Sequence, residues 1–308
     1  SHPDQNSFLI WAHGEMLAVD DGYPKDKKLT AAHNTLLIDG KGGPEEGSGW
    51  YQPFPYDQTA FMRDVVTSGA TAYAAGDASR LYTNGKRFVR HFAFVEGTYV
   101  MIIDDLAATG SGARTFDWRL HSNGSVKTGS GGAFTVTDGA ASLAIRFLAP
   151  KASAITSSTF AKSGTAAPGL SVKTKASSTR YLVVLVPGSG GTPSFSAEQR
   201  AASGGWAIRV GIGGKTDLFA AASGSGAVSA DDVTAAGAAA LVRRAGSAVE
   251  LALLSRGTSL QLAKQQLLSS DRKLDLVWRP DAAGGRLEAA PPYRGKGGSA
   301  ALGVGGLQ

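Results

Sequence analysis

The amino-acid sequence predicts an all-β protein: a large antiparallel β-sandwich followed by a smaller C-terminal β-sheet domain. Three observations carry this. Short apolar stretches recur between clusters of Gly, Ser, Asn and Asp; several of them alternate apolar and polar with period two; and no segment carries a long amphipathic stripe. Residues 8–12 and 16–19 open the series, parted by Gly14, and residues 34–38 end at Asp39-Gly40-Lys41-Gly42-Gly43. Residues 87–95 and 99–103 flank Glu96-Gly97 and predict a hairpin. Residues 116–120 and 133–137 alternate, and 143–148, 170–172 and 181–186 follow. The last of these is apolar on both faces, which places it centrally in a covered sheet. Only 59–66 and 259–268 could each carry a short helix.

The small-residue stretch Ala221-Ala222-Ser223-Gly224-Ser225-Gly226 suits a linker. It divides a β-sandwich domain at 1–224 from a small β domain at 225–308, built on strands at 240–244, 248–254 and 274–279. Residues 295–308, rich in Gly and Ala, are expected to be a loosely held tail.

Composition narrows the function classes. The 308 residues include 41 Gly and 12 Pro, 43% are apolar and 18% charged, a balance that suits a loop-rich, well-cored globular chain rather than a disordered one. No apolar run approaches a membrane span. With no cysteine, disulfides, thiolate metal sites and a cysteine nucleophile are excluded. Lys+Arg minus Asp+Glu is 31 − 25 = +6, but the cations are dispersed, giving weak support for an anionic partner and poor support for a nucleic-acid groove. The chain opens on Ser1 with no signal-like segment and a strand pattern by Phe8, so it is read as the C-terminal part of a longer chain.

Of the five histidines, His2 and His33 lie near well-placed carboxylates. Neighbouring strands would let His2, Asp20 and His33 converge at one end of a sheet, and two imidazoles with one carboxylate are an ordinary zinc ligand set. Asp4 and Asn34 would then fix the histidine tautomers. The spacing matches no compact metal motif, so three unconnected side chains remain the alternative. His13 is expected on a strand's solvent face, and His91 in a strand as either a satisfied core residue or a site residue. His121, at the end of Trp118-Arg119-Leu120-His121, suits either a sugar surface or a structural strand end. Pro187-Gly188-Ser189-Gly190-Gly191 lacks the following helix of a phosphate loop, and no Ser sits in a nucleophile elbow. Asn123-Gly124-Ser125 is formally a glycosylation sequon and reads as a turn.

Ser1-His2-Pro3-Asp4-Gln5-Asn6-Ser7-Phe8, Gly14-Glu15-Met16-Leu17-Ala18-Val19-Asp20-Asp21-Gly22-Tyr23 and His33-Asn34-Thr35-Leu36 resemble the heparinase II/III-like polysaccharide lyases. The similarity continues at Tyr73-Ala74-Ala75-Gly76-Asp77, Arg87-Phe88-Val89-Arg90, Val100-Met101-Ile102-Ile103-Asp104 and Asp117-Trp118-Arg119-Leu120-His121-Ser122, over about residues 1–150. The resemblance implies that this chain is the β portion of a protein whose N-terminal part is an (α/α) toroid. It implies that His2, Asp20 and His33 bind a structural divalent metal, most often Zn2+. It also implies β-elimination on a uronate-containing polysaccharide of the alginate or glycosaminoglycan type, with this chain as one wall of the cleft. Tyr23, Arg80, Arg119 and His121 are the substrate-facing candidates; a packed turn aromatic and solvated cations are the competing readings. The family motif H-x-H-x-D would place its first histidine one position before Ser1, and the toroid's tyrosine lies upstream, so no catalytic residue is assigned within the chain.

The expected partners are an acidic polysaccharide, the helical toroid of the same parent protein and a second copy in a homodimer, with no nucleic acid and no membrane. A periplasmic or secreted bacterial location follows from the substrate class. A non-catalytic carbohydrate-binding sandwich is the alternative, although Trp11, Trp50, Trp118, Trp206 and Trp278 are too dispersed to show an aromatic platform. A purely structural β protein is the third reading.

Overall fold

The computed structural model describes residues 2–20, 28–44, 46, 56–150, 155–162, 165–224, 226–290 and 302–304. Two compact units result: Ser1–Met62, Gly76–Arg90 and Thr98–Pro193 form the first, and Arg63–Ala75, His91–Gly97 and Ser194–Gln308 the second. As the sequence predicts, the class is all-β; the described residues hold no α-helix, only two single-turn 3-10 segments at Thr30–Ala32 and Tyr56–Gln58.

The first fourteen strands are β1 (Ile10–Ala12), β2 (Glu15–Ala18), β3 (Leu36–Ile38), β4 (Phe61–Ser68), β5 (Thr71–Asp77), β6 (Gly85–Val95), β7 (Tyr99–Ala108), β8 (Arg114–His121), β9 (Ser125–Thr128), β10 (Ala133–Asp138), β11 (Ala141–Ala149), β12 (Ile155–Lys162), β13 (Thr165–Ala176) and β14 (Ser178–Ser189). They form an eight-stranded sheet in the order β4-β5-β6-β7-β14-β11-β10-β9, a four-stranded sheet in the order β12-β13-β8-β3, and the separate β1–β2 hairpin. Strand β14 is central, between β7 and β11, and its Tyr181–Val186 run is buried on both faces. The first unit's core lies between the two sheets. Trp118 of β8 stands edge-on to Phe147 of β11 at 5.1 Å, and the buried Tyr181 hydroxyl lies 2.8 and 2.9 Å from the Val172 and Phe116 carbonyl oxygens of the four-stranded sheet. Burying an aromatic or aliphatic side chain of this size contributes about 1.5–3 kcal/mol.

The second unit adds β15 (Ser196–Arg200), β16 (Ala202–Ser203), β17 (Gly205–Ile212), β18 (Lys215–Ala222), β19 (Val228–Ala230), β20 (Val233–Ala236), β21 (Ala239–Ala245), β22 (Ala248–Leu262), β23 (Gln265–Arg279), β24 (Arg286–Ala290) and β25 (Leu302–Val304) in one sheet. One face of it closes on a cluster that includes Leu218, Val242, Leu254, Leu260, Leu276 and Trp278. Tyr73 of β5 packs on Phe219 of β18 at 6.0 Å in the same unit.

Several expectations require correction. Residues 59–66 are not helical: Asp64, Val66 and Ser68 of β4 point inward while Val65 and Thr67 point outward, a period of two that only a strand supports. Residues 259–268 form the β22–β23 hairpin instead of a helix. Its turn residues Ala263 and Lys264 have φ of 50° and 69°, the mirror-image turn that matches strand twist. Ala221 and Ala222, read as linker, close β18 and are buried. His13 occupies the β1–β2 turn with φ 54° rather than a strand face. Leu302–Val304 pairs with β23, while the rest of the expected tail at 295–308 lies outside the described residues. The Glu96-Gly97 hairpin forms as expected, with both residues at positive φ (49° and 64°).

Candidate functional site

The site is assembled from irregular segments held against β6, β7 and β8. The 3-10 turn Thr30–Ala32 ends at His33, whose backbone N–H donates to the Thr30 carbonyl. The Glu46 carboxylate closes this loop, accepting from the Thr30 N–H at 3.0 Å and the Gly42 N–H at 3.1 Å. Val19, after β2, bridges to His121 at the end of β8, with its N–H 2.9 Å from the His121 carbonyl. Asp20 follows at once. Its Oδ1 lies 2.5 Å from His33 Nδ1, and His33 is 2% exposed while Asp20 is 25% exposed.

His2 reaches the same place from the N-terminal segment. Its ring centroid is 5.7 Å from that of His33, edge to face. Burial lowers the His2 pKa, His33 and Lys28 lower it further, and Asp4 and Asp20 oppose them. The three sequence-predicted residues are therefore brought together. As metal centres go, the arrangement is not closed: among the described residues, no three His, Asp or Glu side chains already stand as a ligand cluster. The donors, two imidazoles and a carboxylate with two of them in direct contact, are of the kind that suits a borderline divalent cation.

Asn34, next to His33, is fully buried and uses its whole amide. It donates to the Phe8 and Val19 carbonyls at 2.8 and 2.9 Å, and its Oδ1 accepts from the His121 backbone N–H at 2.7 Å and faces His121 Nδ1 at 3.0 Å. Asn34 thus orients His121 and not the two predicted ligands. His121 is 2% exposed; burial, and after it Arg119, push its pKa down to about 4, so at neutral pH it is an uncharged imidazole. Arg119 pairs with Asp117 at 3.5 Å and is itself largely buried, which lowers its pKa.

Arg80 is exposed and stacks over the Phe61 ring at 5.7 Å. Tyr23 lies outside the described residues. His91 belongs to the second unit, where it is a core residue: it is buried, 2.9 Å from the Tyr73 hydroxyl, and burial lowers its pKa to about 3.

Sequence reasoning missed two groups. Arg90 of β6 is fully buried and bidentate to Asp104 of β7, at 2.7 and 2.8 Å. Lys28 is 9% exposed and close enough to His2 to act on its charge. A charged residue inside an apolar strand was the available signal for Arg90; for Lys28 there was none. Elsewhere, in the second unit, Asp275 lines a cavity of about 280 Å³ together with Val65, Val66, Thr67, Val277 and Glu288.

Residues 1–207 match the family described as Heparinase II/III-like, C-terminal, and the chain belongs to that family. Among solved structures it is similar to a heparinase III gene product, at 19% identity and a TM-score of 0.57 over 70% of this chain and 36% of that one. It is similar to the heparan sulfate lyase HepC from Pedobacter heparinus, at 16% identity and a TM-score of 0.56 over 72% of this chain and 37% of that one. A further heparinase III matches at 17% identity and a TM-score of 0.54, over 71% and 35%. The match spans little more than a third of the length of these structures. No curated protein sequence matches the chain.

Proposed function

We propose that this chain is the β-sheet part of a polysaccharide lyase that cleaves a uronate-containing polysaccharide by β-elimination, and that it forms one wall of the cleft. The observation that carries the reading is the convergence of His2, Asp20 and His33, with His121 oriented beside them by Asn34, in a chain of this family. Heparan-type and other glycosaminoglycan chains are the favoured substrates, because the structural neighbours are heparinase III and a heparan sulfate lyase; alginate shares the chemistry.

In such an elimination a base removes the proton at C5 while the C6 carboxylate charge is neutralised, and an acid protonates the departing O4. Arg119, now paired with Asp117, and Lys28 would be the cations that meet a uronate carboxylate. His121, neutral, buried and fixed by Asn34, would shape this wall without adding charge. His2, Asp20 and His33 would hold a divalent metal, Zn2+ first among candidates, which when bound would order this wall and add positive charge. The 2.5 Å His33–Asp20 contact puts two of the three donors side by side, and metal binding there would release any proton they hold. The C5 base and O4 acid would come from the helical toroid of the parent protein. A secreted or periplasmic location fits a polymeric substrate.

The test is the full-length parent protein on a panel of heparan sulfate, hyaluronan and alginate, read by the ultraviolet absorbance of the new 4,5 double bond. Absorbance gained on one uronate polymer and lost in His33→Ala supports the lyase. Retained polysaccharide binding with no absorbance on any polymer would favour the carbohydrate-binding module instead.

A further inference from the structure

Arg90 makes more than its ion pair. Its Nη1 lies 2.8 Å from the Asn6 carbonyl and 3.0 Å from the Asn34 carbonyl, and donates to both. Asn6 is four residues from His2, and Asn34 is adjacent to His33. The two histidines therefore sit on separate, irregular segments that a single guanidinium joins.

The rest of Arg90 is immobilised. Asp104 takes its Nε and Nη2 in bidentate fashion, and the Phe8, Phe88 and Trp118 rings lie 5.6, 5.3 and 5.9 Å from its Cζ. The guanidinium is thus fixed by β6, β7 and β8, and its remaining nitrogen points at the two loops. Asn6 adopts φ 62°, a left-handed conformation that Asn accepts more readily than most residues, and its side-chain amide donates to the Gly76 carbonyl at 3.2 Å. Gln5, one residue earlier, accepts from Thr35 Oγ1 through its carbonyl at 3.2 Å, so the two segments are stitched at a second point.

We propose that Arg90, anchored by Asp104, is the positioning residue that sets the distance between the His2 and His33 segments and so determines the geometry of the histidine site. The proposal rests on the reading of that site as a metal centre only for its metal-binding readout. A lysine at this position keeps the charge but has no planar fork, and it cannot hold Asp104 in bidentate fashion while donating to two carbonyls. Removing an outer partner that orients ligands lowers metal affinity about 10–100-fold.

The experiment compares wild type, Arg90→Lys and Asp104→Asn by histidine side-chain NMR on metal-free protein, followed by zinc titration calorimetry. The buried Leu143 and Leu185 methyl signals, in the first unit, are the internal control for its folding. The expected result is displaced His2 and His33 signals in Arg90→Lys, retained Leu143 and Leu185 methyl signals and zinc affinity at least tenfold weaker. His2 and His33 signals at wild-type positions in a folded Arg90→Lys would overturn the proposal. If Arg90→Lys loses the Leu143 and Leu185 signals as well, Asp104→Asn decides by the same criterion, because its amide oxygen still accepts one guanidinium N–H. Displaced histidine signals with no zinc binding even in wild type would support the positioning role and sink the metal reading alone.

Discussion

Arg90 in the first unit and Asp64 in the second are both charged groups with no exposed side-chain surface, yet their surroundings differ. Arg90 has a bidentate carboxylate, two backbone carbonyls and three aromatic rings about it. Asp64 has one ion-pair contact among the described residues, at 3.2 Å, from an Arg256 that is itself 41% exposed, and its Oδ2 has no hydrogen-bond partner among them. Burial accordingly raises the Asp64 pKa against the pull of Arg256. Nearby, Asp275 accepts from the Arg256 N–H at 2.8 Å and the Ser255 hydroxyl at 3.0 Å through one oxygen only, and burial lifts its pKa to about 6. A charge with most of its donors engaged, as in the four bonds of Arg90, acts as a rigid joint, whereas a sparsely engaged carboxylate makes its surroundings sensitive to protonation.

The sharpest way to break the contrast is Arg90→Met. It leaves Asp104 buried and unpaired, and such a loss costs about 3–5 kcal/mol; denaturant unfolding should show it, confined to the first unit. The next effect lies in the second unit and in pH. Asp275 titrates at about 6 when folded against 3.8 for an unperturbed aspartate, so the native state binds its proton more tightly than the unfolded chain does. The sign is opposite to that of a salt-bridged aspartate: stability rises as pH falls from 7 toward 4 and levels below that, by on the order of 3 kcal/mol for this group. Urea midpoints across that range check it, and Asp275→Asn, which keeps the acceptor oxygen, should flatten the slope. A smaller loss is expected from Tyr73→Phe, which strips the buried His91 of its partner at a cost of about 1–2 kcal/mol; thermal unfolding suffices. The smallest belongs to Trp11→Ala. With 68% exposure on the β1–β2 hairpin, Trp11 should change stability by no more than about 0.5 kcal/mol, and a larger loss would mean that the hairpin is covered.

Strands were legible wherever one face is dry and the other wet, as in Ala133–Asp138, or where a turn dipeptide such as Glu96-Gly97 interrupts them. The errors have physical causes. Leu260, Leu267 and Leu268 mimic helical spacing because the turn between them uses Ala263 and Lys264, residues with no turn signature, at positive φ. Residues 59–66 were open to a helical reading because nothing in a sequence announces that Asp64 is a buried carboxylate on the inward face of a strand. His2, Asp20 and His33 were a candidate set from the carboxylates near the two histidines, strengthened by family resemblance, and in the structure His33 meets Asp20 directly and His2 ring to ring. Arg90 stayed hidden because its partners lie 14, 56 and 84 residues away, beyond any local pattern.

Gly76 has one further consequence. A Cβ there would lie 1.9 Å from Asn6 Oδ1, so a side chain at position 76 must turn aside the Asn6 amide that bonds to it. That amide steadies the same residue whose carbonyl Arg90 grips. In a saturation-mutagenesis screen, position 76 would therefore score with the histidines although it touches neither, and its intolerance would report on loop placement rather than on chemistry.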